Sequence, residues 1–183
     1  MKTHLMLDME TFSTEHNAVI TTFGVVKFDP WKSNVLASDG IYLRIDIDEQ
    51  VAMGRHISES TIAWWGNQSE DVQLEATSDE NRVPVSELIR QLNKMNVGCD
   101  TIWCLSPTFD MIILENLYRQ VCAPIPWQYW QFRDCRTLFG VHGDPREKGR
   151  VGAHNALSDC IYQAEGVQGI YAKCGIDEQR GGI

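Results

Sequence analysis

The run Leu5-Met6-Leu7-Asp8-Met9-Glu10 near the start of the chain constrains its fold more than any other stretch. Apolar residues lead directly into two carboxylates spaced i and i+2. Successive strand side chains alternate faces, so Asp8 and Glu10 point one way and Met9 the other. Two like charges on one face at the end of a central strand repel each other and resist desolvation; a cation is the usual compensation. Read alone, the pair would be a solvated acidic turn. Its weight comes from carboxylates that recur about 100 and 150 residues later.

Downstream, Ala18 to Phe28 alternates as a second strand and is stopped by Asp29-Pro30. Ile41 to Ile45 suits a third strand, which completes an antiparallel meander. Asp46 to Gln50 reads as an acidic surface turn. Ser58 and Ser69 are start signals for two short helices, the first carrying Trp64 and Trp65. Asp79 to Arg82 reads as a polar loop. Val85, Leu88, Ile89, Leu92 and Met95 fall on one helical face, with Gly98 placed to end that helix. Thr101 to Leu105 is a buried-type strand. Ser106-Pro107-Thr108 then turns the chain into a helix from about Phe109 to Gln120. Trp130 to Asp134 is a short last strand, Asp144 to Val151 a charged loop, and Asn155 to about Lys173 the terminal helix. This order predicts an α/β fold with a mixed sheet flanked by helices. At 183 residues the chain is expected to form one domain with a frayed tail from about residue 176.

The formal net charge of −9 disfavours binding nucleic acid through a broad basic face, but not presenting phosphates to bound metal ions. None of the six cysteines forms a CxxC pair, and no neighbouring histidine spacing suggests zinc. The N-terminal stretch lacks the apolar run of a signal peptide, and no segment approaches a membrane span. These features lead us to expect reduced thiols, a cytoplasmic location and no membrane partner.

Three segments carry the chemistry: Asp8-Met9-Glu10-Thr11-Phe12, then Thr108-Phe109-Asp110, then His154-Asn155-Ala156-Leu157-Ser158-Asp159. Each places a carboxylate at the end of an element, and the last adds a histidine just ahead of its aspartate. Mg²⁺ takes hard oxygen ligands and keeps several waters, so a few carboxylates suffice. Two such ions can activate a water and stabilise the leaving oxygen of a phosphodiester. A histidine, titrating near ~6.5 when unperturbed, can take the water's proton.

The ordered set DxE, FD before a helix, and HxAxxD resembles the DEDDh exonucleases of the ribonuclease-H-like fold, from Leu5 to about Ala172. Within that superfamily, two stretches are similar to the DexA-type phage exonucleases and the related small bacterial exoribonucleases. They run from Ser60 to Gln68 and from Tyr129 to Thr137. The resemblance implies a metal-dependent 3′–5′ exonuclease with a three-strand antiparallel meander joined to parallel strands. It implies Asp8, Glu10, Asp110 and Asp159 as ligands of two Mg²⁺ or Mn²⁺ ions, and His154 as the general base. Ser106-Pro107-Thr108 departs from the Gly or Asn that many relatives carry ahead of the FD pair.

Thr11, Phe12, Trp65 and Arg150 are the expected substrate contacts. Thr11 and Phe12 follow the carboxylates, and a core role for Phe12 competes with a substrate role. Trp64 and Trp65 are adjacent on a helix and cannot share a face, so one belongs to the core and one to the channel. Arg146, Lys148 and Arg150 form the best local basic patch, whereas Arg133 and Arg136 read as ion-pair partners of carboxylates such as Asp134. His4, His16, His56 and His142 read as surface residues. The expected partner is nucleic acid with a free 3′ end, single strand before double and DNA slightly before RNA; a homodimer stays open. An oligoribonuclease-like or RNA-trimming enzyme, an idle nucleic-acid-binding module and an acidic interaction protein are the alternatives. The intact five-residue set argues against the last two.

Overall fold

The computed structural model describes residues 3–145 and 154–178. Strand β1 (Thr3–Thr11) lies inside a six-stranded sheet, between β2 (Ile20–Phe28) and β5 (Cys99–Cys104). The full order is β4 (Arg82–Val83), β3 (Gly40–Ile45), β2, β1, β5 and β6 (Phe132–Asp134). β1, β2 and β3 form the antiparallel meander, while β5 runs parallel to β1, β6 to β5 and β4 to β3.

The alternation read from β1 holds in three dimensions. Leu5, Leu7 and Met9 pack into a core under helices α4 (Val85–Asn96) and α5 (Asp110–Gln120). Met6 enters a second core under α6 (Cys135–His142) and α7 (Ala156–Cys174). Asp8 and Glu10, in step with Met6, therefore lie on the α7 side of the sheet. The β1–β2 register shifts between Glu10 and Thr11, a bulge where the strand leaves its ladder beside the carboxylates. A third, small cluster joins Phe12, Val19, Trp65 and Ala76 beneath α2 (Glu59–Gly66) and α3 (Glu70–Thr77).

Gly24, opposite Asp8 on β2, lets α7 approach the sheet. A Cβ there would sit 2.3 Å from the carbonyl carbon of Ala156 and 2.5 Å from the backbone nitrogen of Leu157. Both are backbone atoms, so only glycine fits.

Several short elements differ from the sequence reading. Asp46 is an N-cap, its carboxylate accepting from the Glu49 N–H, and α1 (Ile47–Ala52) replaces the expected turn. The six-residue helix is held from outside: Gln50 is fully buried and pairs with both the N–H and the C=O of Ile20. Arg82 and Val83 form β4 rather than loop. Asp134 caps α6 through the Thr137 N–H instead of pairing with Arg133, whose guanidinium donates to the carbonyls of Trp130 and Phe132. His4 is buried, accepting from the Trp103 indole N–H at 2.9 Å, and is not the surface residue expected; His56 is exposed as expected and bonds Ser13 at 2.7 Å. The expected tail falls partly outside the described residues, which end at 178. No helix among them is long and apolar enough to cross a membrane, and all six cysteines are free thiols.

Candidate active site

The C-terminal end of β1 opens into a cleft of about 490 Å³. Its walls include Asp8, Glu10, Asp110, His154 and Asp159, which the fold brings together from three distant stretches of chain. Asp8, Glu10 and Asp159 can each offer an oxygen to a set lying within 4.8 Å of one another. Asp110, the first residue of α5, lines the same cleft from beneath and is 3 % exposed.

The electrostatics are those of crowded, partly dehydrated carboxylates. Burial pushes the Asp110 carboxyl up to about 7, against hydrogen bonds from Ser106 and Cys104 that favour its charged form; the nearby Glu10 charge raises it further. The start of a helix would by itself lower that value, so burial has won. Glu10 is also raised by burial, with a smaller opposing pull from His154. Such a set fits a hard divalent cation, which takes oxygen ligands and relieves the repulsion among them.

His154 stands at the mouth of α7 with a left-handed backbone, φ 66°, a conformation that histidine tolerates better than branched residues do. Its Nδ1 is 3.5 Å from Glu10 Oε1, and its backbone N–H donates to Asp159 Oδ2 at 2.9 Å. The ring meets Trp64 edge-on at 5.3 Å and Trp65 at 6.1 Å between centroids. Asn155 caps α7 by accepting from the Ser158 N–H at 3.0 Å, which places Asp159 in the first turn.

The expected substrate contacts fare differently. Phe12 belongs to the small core, 7 % exposed, and its N–H is committed to Val19 C=O. Thr11 is likewise buried, its hydroxyl donating to Ser13 C=O. Trp65 is 3 % exposed with its indole N–H on Thr11 C=O, whereas Trp64 is 45 % exposed. The solvent-facing tryptophan is therefore Trp64, because Trp65 is on the helix face turned to β1. Both tryptophans, with Thr11, Ser60 and Thr61, border a neighbouring hollow of about 350 Å³ that shares Met9, Glu10 and Phe109 with the cleft. Arg146, Lys148 and Arg150 lie outside the described residues.

Two residues of the cleft escaped the sequence reading. Gln163, one turn after Asp159 on α7, donates to Asp8 Oδ1 at 2.9 Å. The four-residue spacing from Asp159 was the signal that could have found it. Arg136, read as a structural ion-pair partner, lines the cleft and is the cation described there.

A mixed sheet in this order, with carboxylates gathered at the end of its central strand, is the ribonuclease-H-like fold. The chain belongs to the Rv2179c-like 3′-5′ exoribonuclease domain family, whose model matches residues 3–171. It is accordingly a 3′–5′ exonuclease. It is 27 % identical over 189 residues to the exodeoxyribonuclease of Enterobacteria phage T4, covering 85 % of this chain and 83 % of that protein. Among solved structures, E. coli exonuclease I in complex with a dT13 oligonucleotide has a similar fold, with a TM-score of 0.69 at 13 % identity over 96 % of this chain. Cell-death related nuclease 4 (CRN-4) gives 0.63 at 15 % identity over 95 % of this chain. The chain spans 42 % of exonuclease I and 64 % of CRN-4, less than two thirds of either.

Proposed function

We propose that this chain removes nucleotides from the 3′ end of single-stranded nucleic acid at a divalent-metal centre, with His154 as the general base. The observation that carries the reading is the gathering of Asp8, Glu10 and Asp159 oxygens within 4.8 Å beside an imidazole. Asp8, Glu10, Asp110 and Asp159 would hold two Mg²⁺ or Mn²⁺ ions. Such ions, when bound, activate a water and stabilise the leaving 3′ oxygen of the penultimate nucleotide.

The chain's own groups do the rest. Glu10, 3.5 Å from Nδ1 of His154, favours the tautomer with its proton on Nδ1, which leaves the basic lone pair on Nε2 to take the water's proton. Gln163 holds the Asp8 carboxylate in one orientation. Arg136 on the cleft wall faces the phosphate, and Trp64 offers an exposed ring on which a base stacks without regard to its sequence. The dT13 bound to the exonuclease I neighbour supports a single-stranded substrate here. The family's description names RNA and the phage relative's names DNA, and the reading takes both sugars as substrates.

The test is digestion of 5′-labelled single- and double-stranded DNA and RNA with Mg²⁺, Mn²⁺ or EDTA. A ladder shortening from the 3′ end of single strands, abolished by EDTA, is expected. Internal cleavage, or a ladder that persists in EDTA, overturns the reading.

A further inference from the structure

We propose that Glu75, a residue of α3 outside the cleft, positions the base: through Asn155 it fixes the turn that carries His154. The inference rests on the reading of His154 as the general base. Asn155 uses both ends of its amide. Its Oδ1 caps α7 at the Ser158 N–H, and its Nδ2 donates to Glu75 Oε1 at 2.8 Å. An N–H donor on one side and a carboxylate on the other admit only one orientation of that amide.

Glu75 is itself firmly held. It accepts from the Tyr42 hydroxyl and, through Oε2, from Arg44 at 2.8 Å, both on β3. Burial would raise its pKa, but the hydrogen bonds from Tyr42 and Arg44 outweigh that effect and hold it below the usual range. It therefore stays ionised and a strong acceptor. The end of α3 is secured separately. Arg82 donates to Ala76 C=O at 3.1 Å and to Ile45 C=O at 2.8 Å. Ala76 shares the small core with Trp65, whose ring faces His154. Sheet, α3 and the tryptophan wall thus form one frame, and the Glu75–Asn155 bond ties the start of α7 to it. His154 is the residue next to Asn155, so the tie holds the backbone that leads into the base, beside the contacts of His154 itself to Glu10 and Asp159. Asp159 depends on it less, because it is carried inside the helix.

Serine caps helices nearly as well as asparagine but has no second donor to reach Glu75. Asn155→Ser should therefore keep the helix and cut the tie. We would measure kcat and KM on a 5′-labelled single strand, Mn²⁺ affinity by calorimetry and thermal unfolding. The variants are Glu75→Ala, Asn155→Ser, the pair together, His154→Ala, and Glu75→Ala with His154→Ala. Each of the first two should lower kcat by about 10- to 100-fold, as small misplacements of catalytic groups do, with KM and Mn²⁺ affinity essentially unchanged. The pair should be no worse than either single variant, and Glu75→Ala should add nothing once His154 is gone. Asn155→Ser keeps the test valid if Glu75→Ala fails to fold. Losses that multiply in the pair, a matching fall in Mn²⁺ affinity, or a further loss in the His154→Ala background would each overturn the positioning role. Full activity in His154→Ala would instead overturn the base reading and the inference with it, whereas activity lost there and kept in Asn155→Ser rejects the positioning role alone.

Discussion

Gln163 and Asp8 lie 155 positions apart and meet at 2.9 Å, the amide of one orienting the carboxylate of the other. Gln163 is 3 % exposed, and its Oε1 is buried without a hydrogen-bond partner. An apolar replacement of similar size removes that unsatisfied atom along with the bond, so Gln163→Leu should cost the fold little. Its effect falls on Asp8, which loses a hydrogen bond that helps fix its rotation. We expect metal affinity to drop by about tenfold, in the range found for partners that orient ligands. Calorimetry with Mn²⁺ checks this, and unchanged affinity would show that Asp8 needs no such support.

The contact between Gly24 and the start of α7 should make the active site sensitive to one methyl group. Gly24→Ala must push Ala156 and Leu157 backbone away from the sheet, since neither can rotate aside. Overpacking of this kind costs about 1–3 kcal/mol and here also shifts Asp159 and His154. Gly169→Ala on the same helix meets nothing within 4 Å and should instead stabilise by about 0.5–1 kcal/mol. Urea midpoints of the two variants should move in opposite directions, with activity lost only in the first.

Trp64 and Trp65 should separate substrate binding from stability. Trp65→Ala empties a buried site and should cost about 3–5 kcal/mol, read as a lower urea midpoint. Trp64→Ala removes a ring that is 45 % exposed. It should leave the midpoint nearly unchanged and weaken single-strand binding by about 1–3 kcal/mol, the worth of one stacked base. A large stability loss from Trp64→Ala would assign that ring to the core.

The sequence made the central strand, the meander and the five residues of the cleft legible because each signal is local. Alternation placed Asp8 and Glu10 together, and cap and spacing placed Asp110 and Asp159 at helix starts. Illegible features draw on distant partners. Helix α1 is too short to form by its own propensity and depends on Gln50 reaching Ile20, 30 residues earlier. The roles of adjacent Trp64 and Trp65 follow from which helix face meets β1, which no local pattern states. Gln163 and Glu75 reach partners 155 and 80 residues away, so local pattern shows the cleft carboxylates and His154 but not the side chains bonded to them and to Asn155.

Asp110 links the site to pH. Its folded-state pKa, about 7, lies above the ordinary carboxylate value near 3.8. In the metal-free protein, the folded state therefore keeps a proton that the unfolded chain has released between those two values. The stability this contributes is complete below the lower value and is lost as pH rises through the upper one, at up to about 1.4 kcal/mol per pH unit. Glu10, raised in the same direction, adds to the slope. Glu75 and Glu87 are shifted down and contribute the opposite slope, but only below about the ordinary 4.5. Between pH 5 and about 7 the raised pair therefore contributes stability that falls as pH rises, on top of whatever the histidines add, and urea midpoints in EDTA read the total. Asp110→Asn should remove one proton's share of that slope. A divalent cation must displace the same proton, so its stabilising effect should grow over this window and level off above it. An Asp110→Asn variant with the wild-type slope in EDTA would show that the aspartate is ionised in the metal-free fold, and that burial does not dominate its environment.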